Sequence, residues 1–208
     1  MINFDRNIAK SGFYEVLAGT DEAGRGPLAG PVVAAAVIMP LEGPVIPGIN
    51  DSKKLTESER ERLFDEILKT AVSVAHVTIE NDEIDQLNIL RASLKAMKAA
   101  CSELTPSPSI ILADGNRTFS CPIPVKTVVK GDAKSYNIAA ASIVAKVVRD
   151  NFMKDLHDLY PHYNWAQNKG YPTREHIDAI RKYGRCEFHR KTFLVKALGE
   201  THHSSLFD

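Results

Sequence analysis

Tyr14-Glu15-Val16-Leu17-Ala18-Gly19-Thr20, continued by Asp21-Glu22-Ala23-Gly24-Arg25-Gly26-Pro27 and then by Val32 to Met39, organises the reading of the whole chain. Two runs of strand length and strand composition flank a connection rich in Gly and Pro, and two adjacent acids stand where the first run ends. Outward from there, Pro40 to Asn50 is a loop, and Thr56 with Glu59 forms the capping box of a helix reaching about Lys69. Val72 to Ile79 reads as a third strand. Asn81 can cap a short helix, and Asn88 to Leu104 is a longer one with Ile89, Leu90, Leu94 and Met97 on its apolar face. Ser109 to Ala113 and Pro124 to Val129 are short strand-like runs. A long helix spans Ala133 to Leu159 until Pro161 ends it, Thr173 caps another, and a last one covers roughly Lys191 to Leu198. The order predicts an α/β fold, a mixed five-stranded sheet flanked by helices, with a helical C-terminal part from about residue 150. Residues 1–200 read as a single domain and residues 201–208 as a flexible tail.

Composition bounds the function. With 44% hydrophobic and 25% charged residues the chain reads as soluble and globular. Its longest apolar run, Val32 to Met39, has strand length, so no membrane partner is expected. Met1-Ile2-Asn3-Phe4-Asp5-Arg6 lacks a basic segment followed by an apolar one, so no secretory signal is expected. Cys101, Cys121 and Cys186 are odd in number and lack metal-type spacing, which reads as reduced thiols in a cytoplasm. A net charge of zero hides an asymmetry. Between Lys126 and Lys196 there are 14 Lys and Arg against 7 Asp and Glu, and elsewhere 12 against 19. A basic side and an acidic side suit an enzyme that grips phosphates and holds cations, although a solvated face would look similar.

Acids are usually solvated, so placement must single out the functional ones. Asp21 and Glu22 end a strand, Asp114 ends the Ile110-Ile111-Leu112-Ala113 run, and Asp132 opens the most apolar helix; all lie near a glycine. Ends of buried elements can converge at one edge of an α/β sheet. Carboxylates brought together repel unless a cation sits among them, and oxygen ligands without His or Cys point to Mg²⁺ or Mn²⁺. Asp132 as a plain helix cap is the competing reading.

These segments resemble a known family. Asp21-Glu22-Ala23-Gly24-Arg25-Gly26-Pro27 is similar to the opening motif of ribonuclease HII. Asn50-Asp51-Ser52-Lys53-Lys54-Leu55, Asp114-Gly115, Lys130-Gly131-Asp132, Ala139 to Lys146 and Gly170-Tyr171-Pro172-Thr173 resemble its later motifs in order, over about Gly19 to His189. The resemblance, closest to the bacterial single-chain form, implies a ribonuclease-H-like fold and a catalytic, metal-binding set of Asp21, Glu22, Asp114 and Asp132. It implies an endonuclease that hydrolyses the RNA strand of RNA–DNA hybrids and cuts 5′ of ribonucleotides embedded in duplex DNA, leaving 5′-phosphate and 3′-hydroxyl ends. Two Mg²⁺ or Mn²⁺ ions, one on the attacking and one on the leaving side, would serve that chemistry. The expected protein is a cytoplasmic monomer acting in ribonucleotide removal from DNA.

Selectivity needs a reader of the 2′-hydroxyl. Gly24, Arg25 and Gly26 suit it because glycines let backbone groups approach a sugar closely, although a Gly-x-Gly is also an ordinary tight turn. By the resemblance, this segment and Tyr171 together recognise a ribonucleotide followed by a deoxyribonucleotide; by itself Tyr171 would be a loop-packing aromatic. Asn50, Asp51, Ser52 and Lys53 form a polar loop able to bind backbone oxygens. Ser135, Ser142, Lys146 and Arg149 are spaced by 7, 4 and 3, so they share one helix face that would line a groove or form a solvated edge. His189 and Arg190 are equally readable as substrate contacts, ordinary surface or satisfied internal groups. Two rival functions stand beside the nuclease. Another nuclease of the same fold would not require Gly24-Arg25-Gly26 with Tyr171, and a non-catalytic nucleic-acid-binding module would leave the four acids unexplained. Finally, His203-Ser204-Ser205-Leu206-Phe207 resembles the Gln-Leu-Ser/Asp-Leu-Phe peptide that docks bacterial repair proteins on the sliding clamp, with His203 and Ser204 as departures. A frayed terminus is the plainer reading.

Overall fold

A computed structural model describes residues 1–198, so the expectations for the tail fall outside the described residues. In chain order the elements are α1 (Ile2–Gly12), β1 (Leu17–Ala23), β2 (Val32–Ile38), α2 (Glu57–Thr70), β3 (Ser73–Ile79), α3 (Asn81–Leu87), α4 (Ile89–Ser102), β4 (Ile110–Asp114), β5 (Val125–Val128), α5 (Tyr136–Leu159), α6 (Trp165–Asn168), α7 (Arg174–Tyr183) and α8 (Lys191–Leu198). The sheet order is β3-β2-β1-β4-β5. β1 is antiparallel to β2 and parallel to β4, which gives the mixed five-stranded sheet. Among the described residues no helix is long and apolar enough to cross a membrane.

The parallel pairing of β1 with β4 ends at Thr20 and Ala113, while β1 continues through Asp21 and Glu22. Both acids therefore lie past the last residue paired with β4 while still paired with β2, at the end of the strand as the sequence reading has it. The centre of the sheet is covered on one side by α5, whose residues from Tyr136 to Ala145 are all buried. That helix lies very close to β1. A Cβ placed on Gly19 would stand 2.2 Å from the main-chain carbonyl carbon of Asn137, so only glycine fits there. The close contact fixes the start of α5, and the turn before it, against the acid-bearing end of β1.

The other face is covered by α4. Its capping residue is Asn88, whose Oδ1 accepts from the amides of Leu90 and Arg91. The buried stripe is Ala92, Ser93, Ala96, Met97, Ala100 and Cys101; of the expected face only Met97 belongs to it, while Ile89, Leu90 and Leu94 are half-buried. Small residues let the helix sit close to the sheet, so backbone proximity outweighs side-chain bulk. Two other expectations are corrected. Asn81 does not cap α3; it lies inside the helix, and its Nδ2 donates to the Glu187 carbonyl at 2.7 Å. The long helix starts at Tyr136 with Ser135 as its cap, and a separate 3-10 turn, Gly131–Ala133, carries Asp132. The α2 capping box formed by Thr56 and Glu59 is present as read.

Candidate active site

The four acids meet at the carboxyl ends of β1 and β4. Asp21, 6% exposed, accepts the Glu22 amide through Oδ1 at 2.7 Å. Glu22 faces the guanidinium of Arg25, Nη1 to Oε1 at 3.0 Å. Asp114 is held by the 3-10 turn itself, since the Gly131 amide donates to its Oδ1 at 2.6 Å. Asp132, next in that turn, stands with its Oδ2 at 3.6 Å from Lys53 Nζ. One hydrogen bond thus ties the end of β4 to the turn that carries the fourth acid.

The electrostatics show that these groups feel one another. Burial, followed by the charges of Glu22 and Asp114, pushes the Asp21 carboxyl well above the usual range, and Lys53 only partly opposes this. Glu22 is raised by burial, with Arg25 opposing and Asp114 adding. Asp132 is raised by burial and then by Asp114 and Asp51. Burial alone would lower the Lys53 ammonium, but Asp21, Asp132, Asp51 and Asp114 together hold it above its ordinary value. Lys53, read from the sequence as a phosphate contact, therefore sits within the acid cluster. Among the described residues no three His, Cys, Asp or Glu side chains close on a point tightly enough to hold an ion as they stand. The donor set nevertheless fits hard divalent cations: it is all oxygen, crowded, desolvated and under-neutralised.

The remaining sequence-predicted residues divide into two groups. Ser52 and Ser142 are brought together, the Ser142 hydroxyl donating to Ser52 Oγ at 2.7 Å, so the Asn50–Lys53 loop docks on α5 beside the acids. Asn50 accepts the Asp51 amide, and Lys146 pairs with Asp150 at 2.7 Å. Ser135 and Arg149 do not belong to a groove. Ser135 is fully buried and uses its hydroxyl to cap α5. Arg149 is 1% exposed and donates to the carbonyls of Pro31, Lys169 and Ala29. Helical spacing placed these residues on one stripe, but its first end is buried near Asp5 of α1 and its last under the β1–β2 connection and Lys169, which leaves Ser142 and Lys146 at its middle.

Tyr171 is brought to the Gly24-Arg25-Gly26 segment. Its ring is half-exposed, and a Cβ on Gly26 would stand 3.4 Å from its Cε1. Main-chain bonds stitch the two loops together: the Leu28 amide donates to Gly170 O at 2.8 Å, and the Arg190 amide to Leu28 O at 2.8 Å. Behind Tyr171 lies a buried network that sequence reasoning missed. His189 Nδ1 accepts the Cys186 amide at 3.1 Å, which leaves His189 Nε2 as a donor to His176 Nε2 at 3.2 Å. Trp165 Nε1 donates to the same nitrogen at 3.0 Å, so His176 must carry its proton on Nδ1, 2.9 Å from the Tyr171 carbonyl. Taken together these bonds require both imidazoles to be neutral, His189 because its Nδ1 accepts and His176 because its Nε2 does. Burial lowers both, and His189 falls to about 4, with His176 the next cause. The signal in the sequence was only His189-Arg190, which could not be told from surface.

A mixed sheet in this order, with acids at the carboxyl ends of its central strands and a glycine turn beside them, is the layout of ribonuclease-H-like nucleases. The profile described as Ribonuclease HII matches residues 18–196. The ribonuclease HII of Caldanaerobacter subterraneus subsp. tengcongensis is 51% identical over 202 residues, covering 93% of this chain and 83% of that protein. That of Syntrophus aciditrophicus is 50% identical over 197 residues, covering 95% and 92%. Among solved structures, ribonuclease H2 from Pyrococcus horikoshii OT3 superposes with a TM-score of 0.72 at 27% identity, covering 85% of this chain and 93% of that one. The ribonuclease HII of Archaeoglobus fulgidus, solved in complex with PCNA, gives 0.68 at 25% identity, covering 85% and 94%. The chain belongs to the ribonuclease HII family. It is a ribonuclease H, an endonuclease acting on nucleic acid.

Proposed function

We propose that this endonuclease hydrolyses the RNA strand of RNA–DNA hybrids and cuts 5′ of single ribonucleotides embedded in duplex DNA, leaving 5′-phosphate and 3′-hydroxyl ends. The observation that carries the finer reading is the Tyr171 ring standing beside Gly26, in the segment whose Arg25 pairs with Glu22 of the acid cluster. Asp21, Glu22, Asp114 and Asp132 would hold two Mg²⁺ or Mn²⁺ ions. When bound, such ions supply positive charge for water activation and for the leaving oxygen. The chain's own residues do the rest. Gly24, Arg25 and Gly26 offer main-chain groups to the ribose, and Tyr171 stacks on the following sugar, which must lack a 2′-hydroxyl to fit there. Asn50, Ser52, Lys53, Ser142 and Lys146 bind backbone phosphates and set the register without reading sequence. The deciding experiment maps the cut in a duplex carrying one ribonucleotide, with the all-DNA duplex as control. Incision at the 5′ side of the ribonucleotide alone is expected; equal incision of both duplexes would sink the reading.

We also propose that His203-Ser204-Ser205-Leu206-Phe207 docks on the bacterial sliding clamp. Support comes from the motif and from the Archaeoglobus fulgidus relative solved with PCNA. A short peptide that orders on docking should bind at about micromolar strength, roughly −8 kcal/mol. Titrating the clamp with the whole chain and with one ending at Thr201 tests this: binding by the whole chain alone is expected, and equal binding by both overturns it.

A further inference from the structure

Arg149 and Arg190 are 1% and 0% exposed, yet their partners are carbonyls and not carboxylates. Arg190 donates through Nε to Gly30 O at 2.9 Å, through Nη1 to Arg25 O at 3.3 Å, and through Nη2 to Gly24 O at 2.6 Å and Pro31 O at 3.0 Å. Arg149 donates to Pro31 O at 2.9 Å, Lys169 O at 3.0 Å and Ala29 O at 3.2 Å. All seven bonds end on main-chain oxygens, six of them in the connection between β1 and β2 and one in the loop that carries Tyr171. Two like charges share this small volume. Burial lowers both, Arg149 to about 10 and Arg190 to about 9, the latter also through the charge of Arg149, so both remain charged at neutral pH.

Neutral donors could satisfy carbonyls without burying charge, so the guanidiniums call for a further reason. Peptide planarity supplies it. When the carbonyls of Gly24 and Arg25 are drawn inward, the N–H groups of the same two peptide units, those of Arg25 and Gly26, point the opposite way. Among the described residues neither amide donates to a protein acceptor. The positive φ of Gly24, +99°, is held from behind as well, since a Cβ there would lie 2.2 Å from Arg149 Nε. The fork of Arg190 can grip adjacent carbonyls in a fixed geometry that an ammonium cannot reproduce.

We propose that Arg149 and Arg190 are positioning residues: they draw the carbonyls of the glycine turn inward, present the Arg25 and Gly26 amides to the ribose, and set the gap between that turn and Tyr171. The inference rests on the reading of the glycine turn given above. It is tested with Arg190→Lys, which keeps the charge and loses the fork. On the one-ribonucleotide duplex, kcat is expected to fall at least tenfold, on the order of 1.4 kcal/mol per decade. KM and the Kd for all-DNA duplex are expected to stay within about twofold in a cooperatively melting protein. Wild-type kcat, or parallel loss of affinity for both duplexes, overturns the proposal. If Arg190→Lys does not fold, Arg149→Lys is judged by the same criteria. The wild type gives a measurement that needs no variant. The Arg25 and Gly26 amide resonances should shift more with the ribonucleotide duplex than with all-DNA duplex, and equal shifts overturn the proposal. Failure of the underlying reading is distinguishable, because the unaltered protein would then not prefer the ribonucleotide duplex at all.

Discussion

Asp21→Asn is expected to abolish most cleavage while making the protein harder to unfold. The substitution keeps the volume and removes one charged oxygen from the acid cluster, so turnover should fall by orders of magnitude, each tenfold step being about 1.4 kcal/mol of barrier. The stability change has the opposite sign. Burial and the charges of Glu22 and Asp114 raise the Asp21 carboxyl well above its unfolded value. An acid raised on folding contributes stability that is fully present below its unfolded value, near 3.8, and is lost as pH rises from there through the folded value. At pH 7 to 8, above the unfolded value, the folded wild type therefore bears a destabilising term at this carboxyl that the uncharged Asn variant lacks. Each ~1 kcal/mol relieved should raise Tm by about 2–4 °C in a chain of this size. Adding Mg²⁺ should narrow the gap, because an ion held only by the folded wild type stabilises it by about 2.7 kcal/mol at a hundred times its Kd. Melting curves with and without Mg²⁺, beside single-turnover cleavage, check both halves. Near-wild-type turnover in folded Asp21→Asn at saturating Mg²⁺ removes Asp21 from the catalytic set. Asp132→Asn should behave alike, with a smaller stability gain because Lys53 faces that carboxylate.

Tyr171→Ala should lower cutting at a single embedded ribonucleotide by about tenfold to a hundredfold, the worth of roughly 1–3 kcal/mol of stacking. Duplex affinity should hardly change, since the lysines and polar groups of the Asn50–Lys53 loop and of α5 are distributed along the backbone. The ring is 42% exposed, so its removal should leave folding nearly intact. His176 grips the Tyr171 carbonyl and not its ring, which keeps the loop in place after truncation. Cleavage kinetics at saturating enzyme, set beside equilibrium binding of ribonucleotide-containing and all-DNA duplexes, separate the two roles. Equal loss of affinity for every duplex with normal cleavage once saturated would reduce Tyr171 to a binding residue.

Much of the site was legible because its chemistry needs particular residue types next to one another. Asp21-Glu22 beside Gly24-Arg25-Gly26, Asp114 at a strand end and Lys130-Gly131-Asp132 mark themselves in one dimension, as do Thr56 with Glu59 and the apolar runs of the five strands. Local composition determines those features: the alternation or continuity of apolar residues, and the residues able to begin a helix or turn a chain. α1 escaped notice because it is short and sparsely apolar, and its purpose lies far away in the sequence. Its Asp5 is buried and accepts from the amide and side chain of Asn137, which in turn accepts the Met39 amide at 2.7 Å.

Only the tertiary structure decided which polar residues face the substrate and which face inward. Ser135, Ser142, Lys146 and Arg149 look equivalent on a helical wheel. One caps the helix, two stand at or beside the docked Ser52 loop, and one spends its charge on carbonyls that arrive from residues 29–31 and 169. The same holds for Arg190, 165 residues from the Arg25 carbonyl that it grips. A side chain's type states what it can bond to. Its partners are set by long-range packing, because a buried donor takes whichever acceptor the fold brings within about 3 Å.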